Sequence, residues 1–148
     1  MDISIPINGM KLNIRVTVLL ETKRGFIFEK DKNGFFFPVG GRIKINENSI
    51  DAAKREIKEE LGIDITDLEY KATIENFYQY ENIPFHEINI IHQVKIKDFK
   101  CPNGFYAFKY EHLDEINIKP KAIKDIISKK SDGNKHFVLR EKNNENDS

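Results

Sequence analysis

One cysteine, Cys101, stands among 148 residues, so the chain can form neither an internal disulfide nor a cysteine-paired zinc site. An excess of either charge is also lacking: Lys and Arg number 24, Asp and Glu number 24, and the formal charge is zero. That balance argues against a protein that grips DNA, RNA or an anionic membrane by bulk charge. No apolar run approaches the roughly 18 residues of a membrane span. Met1 to Met10 has neither the basic flank nor the apolar stretch of a signal peptide. No repeat and no Pro/Gly/Ser linker interrupts the sequence. The expectation is one cytoplasmic domain over residues 1–140, monomeric or homodimeric, with a disordered polar tail at 141–148 (EKNNENDS).

What is present alternates. Leu12, Ile14, Val16, Val18 and Leu20 fall on one face of a half-buried strand, with Arg15 and Thr17 on the other. Phe26 to Phe28 starts a second strand. Asn33-Gly34 is a strong hairpin signal, so Phe35 to Phe37 should return antiparallel and end at Pro38, with Gly40-Gly41 opening a loop to Glu47. A helix is expected from Ser49 to Leu61, capped by Asn48 and stopped by Gly62, with Ile50, Ala53, Ile57 and Leu61 facing the core. Longer strands follow at Leu68–Tyr80 and Phe85–Ile96, with a turn at Asn82-Ile83-Pro84. A strand near Phe105–Tyr110, a helix after Pro120 and a short strand at His136–Leu139 complete the pattern. Strands with helices between them give an α/β class (α+β mixed sheet), the sheet covered on both faces.

The helix carries its charges in an unusual order. Glu56, Glu59 and Glu60 gather on one arc with Arg55 at its edge, roughly opposite the apolar stripe. A Glu/Lys-rich helix is most often just a solvated face, and then the signs interleave with Glu four residues before Lys. Here Lys54 pairs with Lys58 and Glu56 with Glu60, and each like-charge pair costs about 0.2–0.5 kcal/mol on an isolated helix. Many helices carry such small clusters harmlessly, and on spacing alone a solvated face is the commoner case. Gathered carboxylates are nevertheless mildly unfavourable without a cation between them. A hard divalent ion with oxygen ligands, completed by substrate phosphates, fits that need.

From Gly41 to Ile63 the sequence resembles the Nudix box, Gly-x5-Glu-x7-Arg-Glu-(aliphatic)-x-Glu-Glu-x-Gly-(aliphatic). Gly41, Glu47, Arg55, Glu56, Ile57, Glu59, Glu60, Gly62 and Ile63 occupy every specified position. The resemblance implies an αβα sandwich and hydrolysis of a nucleoside diphosphate linked to another group, with Mg²⁺ or Mn²⁺. Carried over by position, Glu56, Glu59 and Glu60 look like the metal-binding carboxylates, and Gly40 or Gly41 would offer a carbonyl. Arg55 would orient the glutamates, and Glu47 would support the loop or reach the metal through water. Glu59 or Glu56 could be the general base, although some members of the family use an acid outside the box. Many members of the family read Pro-Gly-Gly directly into the box, whereas Val39 separates Pro38 from Gly40-Gly41 here. That departure weakens any transfer of mutator-type dGTP specificity. Nucleoside triphosphates are the first expected substrate, followed by ADP-ribose or another nucleotide sugar. A non-catalytic nucleotide-binding module is the alternative of a different class.

Outside the box, Arg15 could bind a phosphate bidentately, and Tyr78 or Phe77 could hold a base by stacking. Core packing is the commoner role for Phe77. Glu87, which shares a strand face with Asn89 and Gln93, is the leading acid to complete the site, with Glu111 behind it; an exposed, salt-bridged glutamate is the commoner case for either. His86, His92, His112 and His136 lack the spacing of a helical zinc site. The expected partner is a nucleotide-type small molecule, with neither DNA nor membrane.

Overall fold

Thirteen residues, Met10–Thr22, form the strand on which the rest of the sheet is assembled. The computed structural model describes residues 1–128 and 133–141, so residues 142–148 of the expected tail lie outside the described residues. In chain order the elements are β1 (Ser4–Ile7), β2 (Met10–Thr22), β3 (Gly25–Lys30), β4 (Phe36–Arg42), α1 (Ser49–Leu61), β5 (Glu69–Tyr80), β6 (Ile83–Lys95), β7 (Phe105–Phe108), a 3₁₀ segment (Tyr110–Glu115), α2 (Ala122–Ser128) and β8 (His136–Arg140). The sheet runs β7-β3-β4-β2-β6-β5-β8, with β1 paired to β2 off this path. β2 pairs with β6 in parallel, and β5 pairs with β8 in parallel. The other ladders are antiparallel.

A parallel neighbour needs a long crossover, and a strand covered on both faces loses its simple alternation. β2 shows this directly, because Val16, Thr17, Val18, Leu19 and Leu20 are all buried. Val16, Val18 and Leu20 pack with Ile27, Val39 and Val94 under Ala53, Ile57 and Leu61 of α1. On the opposite face Leu19, Ala72, Ile74 and Ile91 pack with Leu113, Ile118, Ile123 and Ile126, around α2. The result is the expected αβα sandwich with a mixed sheet. Ile50 stays 42% exposed while Ala52 enters the core, because a helical angle does not say where along the axis the packing surface begins.

Local chemistry explains the ends of α1. Asn48 accepts from the N–H of Asp51 at 2.8 Å, and Gly62 adopts φ 72° and returns its N–H to Lys58 O. Ser49 Oγ lies 2.9 Å from Nε2 of buried His92, tying the first turn to β6. Between β5 and β6 the loop is only Glu81-Asn82, both with positive φ, so Ile83 and Pro84 belong to the strand.

The expected strand end at Pro38 is corrected. β4 continues to Arg42, pairing with β3 over Phe36–Pro38 and with β2 over Val39–Arg42. Pro38 falls at the handover between partners, an irregular position where a strand tolerates a residue without an N–H. Gly40 and Gly41 are therefore strand residues and not the opening of a loop.

Candidate active site

α1 lies against β4 so that Glu56 covers Gly41. A Cβ at position 41 would overlap the Glu56 carboxylate, and one at position 40 would overlap the carbonyl oxygen of Val16. Neither glycine has positive φ. Their value is steric: a bare backbone lets the helix carboxylate and strand β2 close in.

Arg55 organises the segment. Its Nε donates to Glu47 Oε2 at 2.7 Å and its Nη2 to Glu47 Oε1 at 2.8 Å, a two-pronged pair. Nη1 donates to Glu56 at 2.9 Å and to Glu59 at 3.3 Å, and Nη2 also reaches the carbonyl of Arg42 at 3.1 Å. Glu47 in turn accepts from the N–H of Lys44 at 3.0 Å. The hydrogen bonds from Arg55 hold the Glu47 carboxyl down at about 2. With both oxygens engaged, Glu47 braces the loop before the helix.

Glu56 is 13% exposed at its side chain and Glu59 is 54% exposed. Glu60 is half-buried, and burial first, then the charges of Glu29 and Glu56, push it up to about 7. Among the described residues, no three His, Cys, Asp or Glu side chains already converge to hold an ion. Arg55 accounts for this by drawing Glu47, Glu56 and Glu59 around its own guanidinium. The donor set nevertheless suits a hard cation: it is all oxygen, and beside the burial that chiefly raises Glu60, the charges of Glu29 and Glu56 raise it further, a repulsion that an ion would relieve.

A second polar cluster lies on the sheet face opposite α1. Arg15 and Arg42 are cross-strand partners on β2 and β4. Arg15 Nε lies 3.9 Å from Glu87 Oε1, and the Tyr78 hydroxyl donates to the same oxygen at 3.3 Å. Tyr78 stacks on Phe85 at 5.0 Å and 4°. Glu87 is 5% exposed, which corrects the expectation of an exposed, salt-bridged glutamate: on the sheet face it is enclosed by Asn13 and Asn76 on the neighbouring strands, with Tyr78 and Arg15 against its carboxylate. Burial raises its pKa, with Arg15 and Tyr78 opposing. Arg15 belongs to this second cluster, and its charge opposes the rise at Glu87 and, as the smallest contribution there, at Glu60. Phe77 faces the other way, against His86 and Arg140. Glu111 is exposed on the 3₁₀ segment.

Several members of the sheet-face cluster were not named from the sequence as site residues. Arg42 sits one residue beyond Gly41, its side chain acting on Glu87 and Tyr78 while its carbonyl holds Arg55. Asn13, Asn76 and Asn89 are buried, and Thr17 donates to Asn89 Oδ1 at 2.9 Å. The sequence signal is an alternation of polar residues within apolar strands, Asn13-Arg15-Thr17 and Glu87-Asn89. A groove of about 790 Å³ between the segment after α1 and the end of β6 contains none of these groups.

The family model for the NUDIX domain matches residues 9–129, which include both clusters. The chain belongs to the NUDIX domain family. Among solved structures, this NUDIX chain is similar to the MutT protein of Bacillus halodurans, with TM-score 0.67 and 16% identity over 88% of this chain and 91% of that one. The Ap4A hydrolase of C. elegans gives TM-score 0.60 and 17% identity over 82% and 97%. The NUDIX domain of Shewanella oneidensis NrtR, solved with ADP ribose, gives 0.65 and 11% over 80% and 88%. At these identities the structural likeness establishes the fold alone. Comparison with curated sequences finds no match. Family and fold together give the chain a Nudix hydrolase fold. No helix among the described residues is long and apolar enough to cross a membrane.

Proposed function

We propose that the chain cleaves the diphosphate linkage of a nucleoside diphosphate joined to another group, with nucleoside triphosphates as the leading substrates. The observation that carries this reading is the Glu56 carboxylate packed against Gly41 of β4, beside the strand β2 on which Arg15 pairs with Arg42 and lies 3.9 Å from Glu87. A diphosphate between the two clusters would meet a guanidinium suited to bidentate phosphate contact.

In this reading Glu56, Glu59 and Glu60 hold Mg²⁺ or Mn²⁺, with a carbonyl of Gly40 or Gly41 as a further oxygen ligand. When bound, the ion neutralises diphosphate charge and makes a water acidic enough to attack phosphorus. The chain's own residues do the rest. Arg55 fixes the direction of Glu56 and holds Glu59 more loosely, and Glu47 fixes Arg55. Glu59, the most exposed of the three and bound to Arg55 at only 3.3 Å, has the freedom to accept a proton from the attacking water. Arg15 binds the diphosphate, while Tyr78 and Glu87 hold the nucleoside side.

A hydrolysis panel with Mg²⁺ tests this reading. It would follow phosphate and pyrophosphate release from nucleoside triphosphates, ADP-ribose and diadenosine polyphosphates, with Glu59→Gln and Glu56→Gln as blanks. Turnover of a nucleoside triphosphate, lost in either blank, is expected. Because the NrtR domain was solved with ADP ribose, turnover of ADP-ribose alone would replace the leading substrate. Near-full rates in both blanks would overturn the metal assignment.

A further inference from the structure

Strands β5, β6 and β8 bury one face and leave the other half open. Ile74, Ile91, Phe137 and Leu139 turn toward α2. On the α1 side, the helix packs over Val16, Val18 and Val39, and the sheet beyond them stays half-buried or exposed. One row there crosses five strands: Ile5, Leu12, His86, Phe77 and Arg140 are successive cross-strand partners. The adjacent row is Ile14, Ile88, Glu75 and Val138. Ile7 pairs with Met10 on the far side of the first row. Ile5, Ile7, Met10 and Val138 are 46%, 50%, 45% and 51% exposed.

Three rows about 6.7 Å apart on five strands about 4.8 Å apart make a patch on the order of 500 Å². A contiguous apolar patch of that size marks an interaction site. Nothing left in this chain can fill it, because residues 129–132 and 142–148 include no apolar side chain. Two such patches face to face would bury about 1,000 Å², the lower end for a specific interface. Within the two long rows Glu75 and Arg140 are the only Asp, Glu, Lys or Arg residues, and their signs are opposite.

We propose that this face docks a second copy of the chain, sheet on sheet, across a two-fold axis that lies perpendicular to the strands between the two rows. An isologous contact requires a surface complementary to itself, and this arrangement supplies it. Each row lies on the other row of the copy, so Leu12 meets Ile14 and His86 meets Ile88, apolar centre on apolar centre. On β5, Phe77 lies opposite the copy's Glu75. The guanidinium of Arg140 rests over the Phe77 ring, 4.3 Å from its centroid, so it faces that carboxylate. The two charges therefore pair twice across the axis, once on each side. Packing of aligned sheets at about 10 Å interdigitates side chains of this kind.

Sedimentation velocity on the full chain, over roughly 1–300 μM, tests this. The wild type should show a reversible monomer–dimer equilibrium with a micromolar Kd. Ile5→Lys and Val138→Lys alter half-exposed positions on opposite edges of the patch, and their folding is checked by melting curves. Each should weaken dimerisation on the order of 10-fold or more by burying an unpaired charge. Glu75→Arg should weaken it as well, by setting two guanidinium groups against each other, and Arg140→Glu in the same chain should restore it. A wild type that stays monomeric throughout overturns the proposal, as does dimerisation unchanged in either lysine variant that folds. An assembly larger than a dimer overturns the two-fold arrangement. Failure of Arg140→Glu to restore the Glu75→Arg chain overturns the crossed-row pairing and with it the axis.

Discussion

The carboxylate of Glu56 occupies the space where a side chain at Gly41 would begin. Helix α1 and strand β4 thus meet at a point where one partner must be glycine. Gly41→Ala is expected to push Glu56 off its position while leaving the rest of β4 paired. Displacements near 1 Å in a catalytic group cost about 10²-fold in rate, and a fall of that order in kcat is expected. The melting temperature should fall only modestly, because the end of the Glu56 side chain can yield more easily than backbone. Gly40→Ala, which meets the carbonyl of Val16, should lower stability far more. Comparing kcat and Tm for the two variants checks both statements.

Glu60 makes metal binding and pH interdependent. Its folded pKa is about 7 against an ordinary 4.5, so between those values the folded chain holds a proton that the unfolded chain has released. This contribution to stability is complete below about pH 4.5 and is lost as pH rises through about 7. A divalent ion binding the carboxylates displaces the proton and restores stability by mass action. The rise in Tm on adding millimolar Mg²⁺ should therefore be larger at pH 8 than at pH 5.5. Glu60→Gln should remove most of that difference. A Mg²⁺ shift independent of pH in the wild type would contradict the assignment.

Asn48 is the cap that sets where α1 begins, accepting from Asp51 N at 2.8 Å. Asn48→Ala should cost about 1 kcal/mol in denaturant unfolding, and Asn48→Asp should also destabilise, because it replaces the donor to Asp51 Oδ2 at 3.1 Å with a second carboxylate. Because the helix stays anchored by Ile57, Leu61 and the Ser49–His92 contact, kcat should change little in either.

The parts legible in the sequence are those written contiguously. α1, its Asn48 and Gly62 caps and the order Glu47, Arg55, Glu56, Glu59, Glu60 all fall within residues 47–62, where helical geometry relates each residue to the next. Strands were legible by alternation, and the β3–β4 hairpin by Asn33-Gly34. Pro38 and Gly40-Gly41 misled because their local signal is a break, whereas β4 is held by two partners in succession. The sheet-face cluster was legible only in fragments. Arg15, Tyr78 and Glu87 could be named singly, but the row of Asn13, Glu87 and Asn76 depends on β2 lying parallel to β6. No local pattern encodes that pairing. The depth of Glu87 has the same origin, since Asn13 and Asn76 enclose it only through the pairing of β6 with β2 and β5.

Arg55 touches three of the box glutamates at once, and its fork geometry is what a lysine cannot reproduce. Arg55→Lys keeps the charge but cannot bind Glu47 through two nitrogens while holding Glu56 and Glu59. Loss of such a supporting partner costs about 10–100-fold in metal affinity or activity, and a decrease of that size is expected in kcat/KM at limiting Mg²⁺. Stability should change in a pH-dependent way. Glu47 is held at about 2 by its hydrogen bonds to Arg55, so the pair's contribution is present above about pH 4.5 and is lost as pH falls toward 2. The wild-type Tm should drop across that acid window, and Glu47→Gln, with no carboxylate to protonate, should show a shallower drop from a lower starting value. Parallel acid curves for wild type and Glu47→Gln would mean that the Arg55–Glu47 pair does not hold the loop.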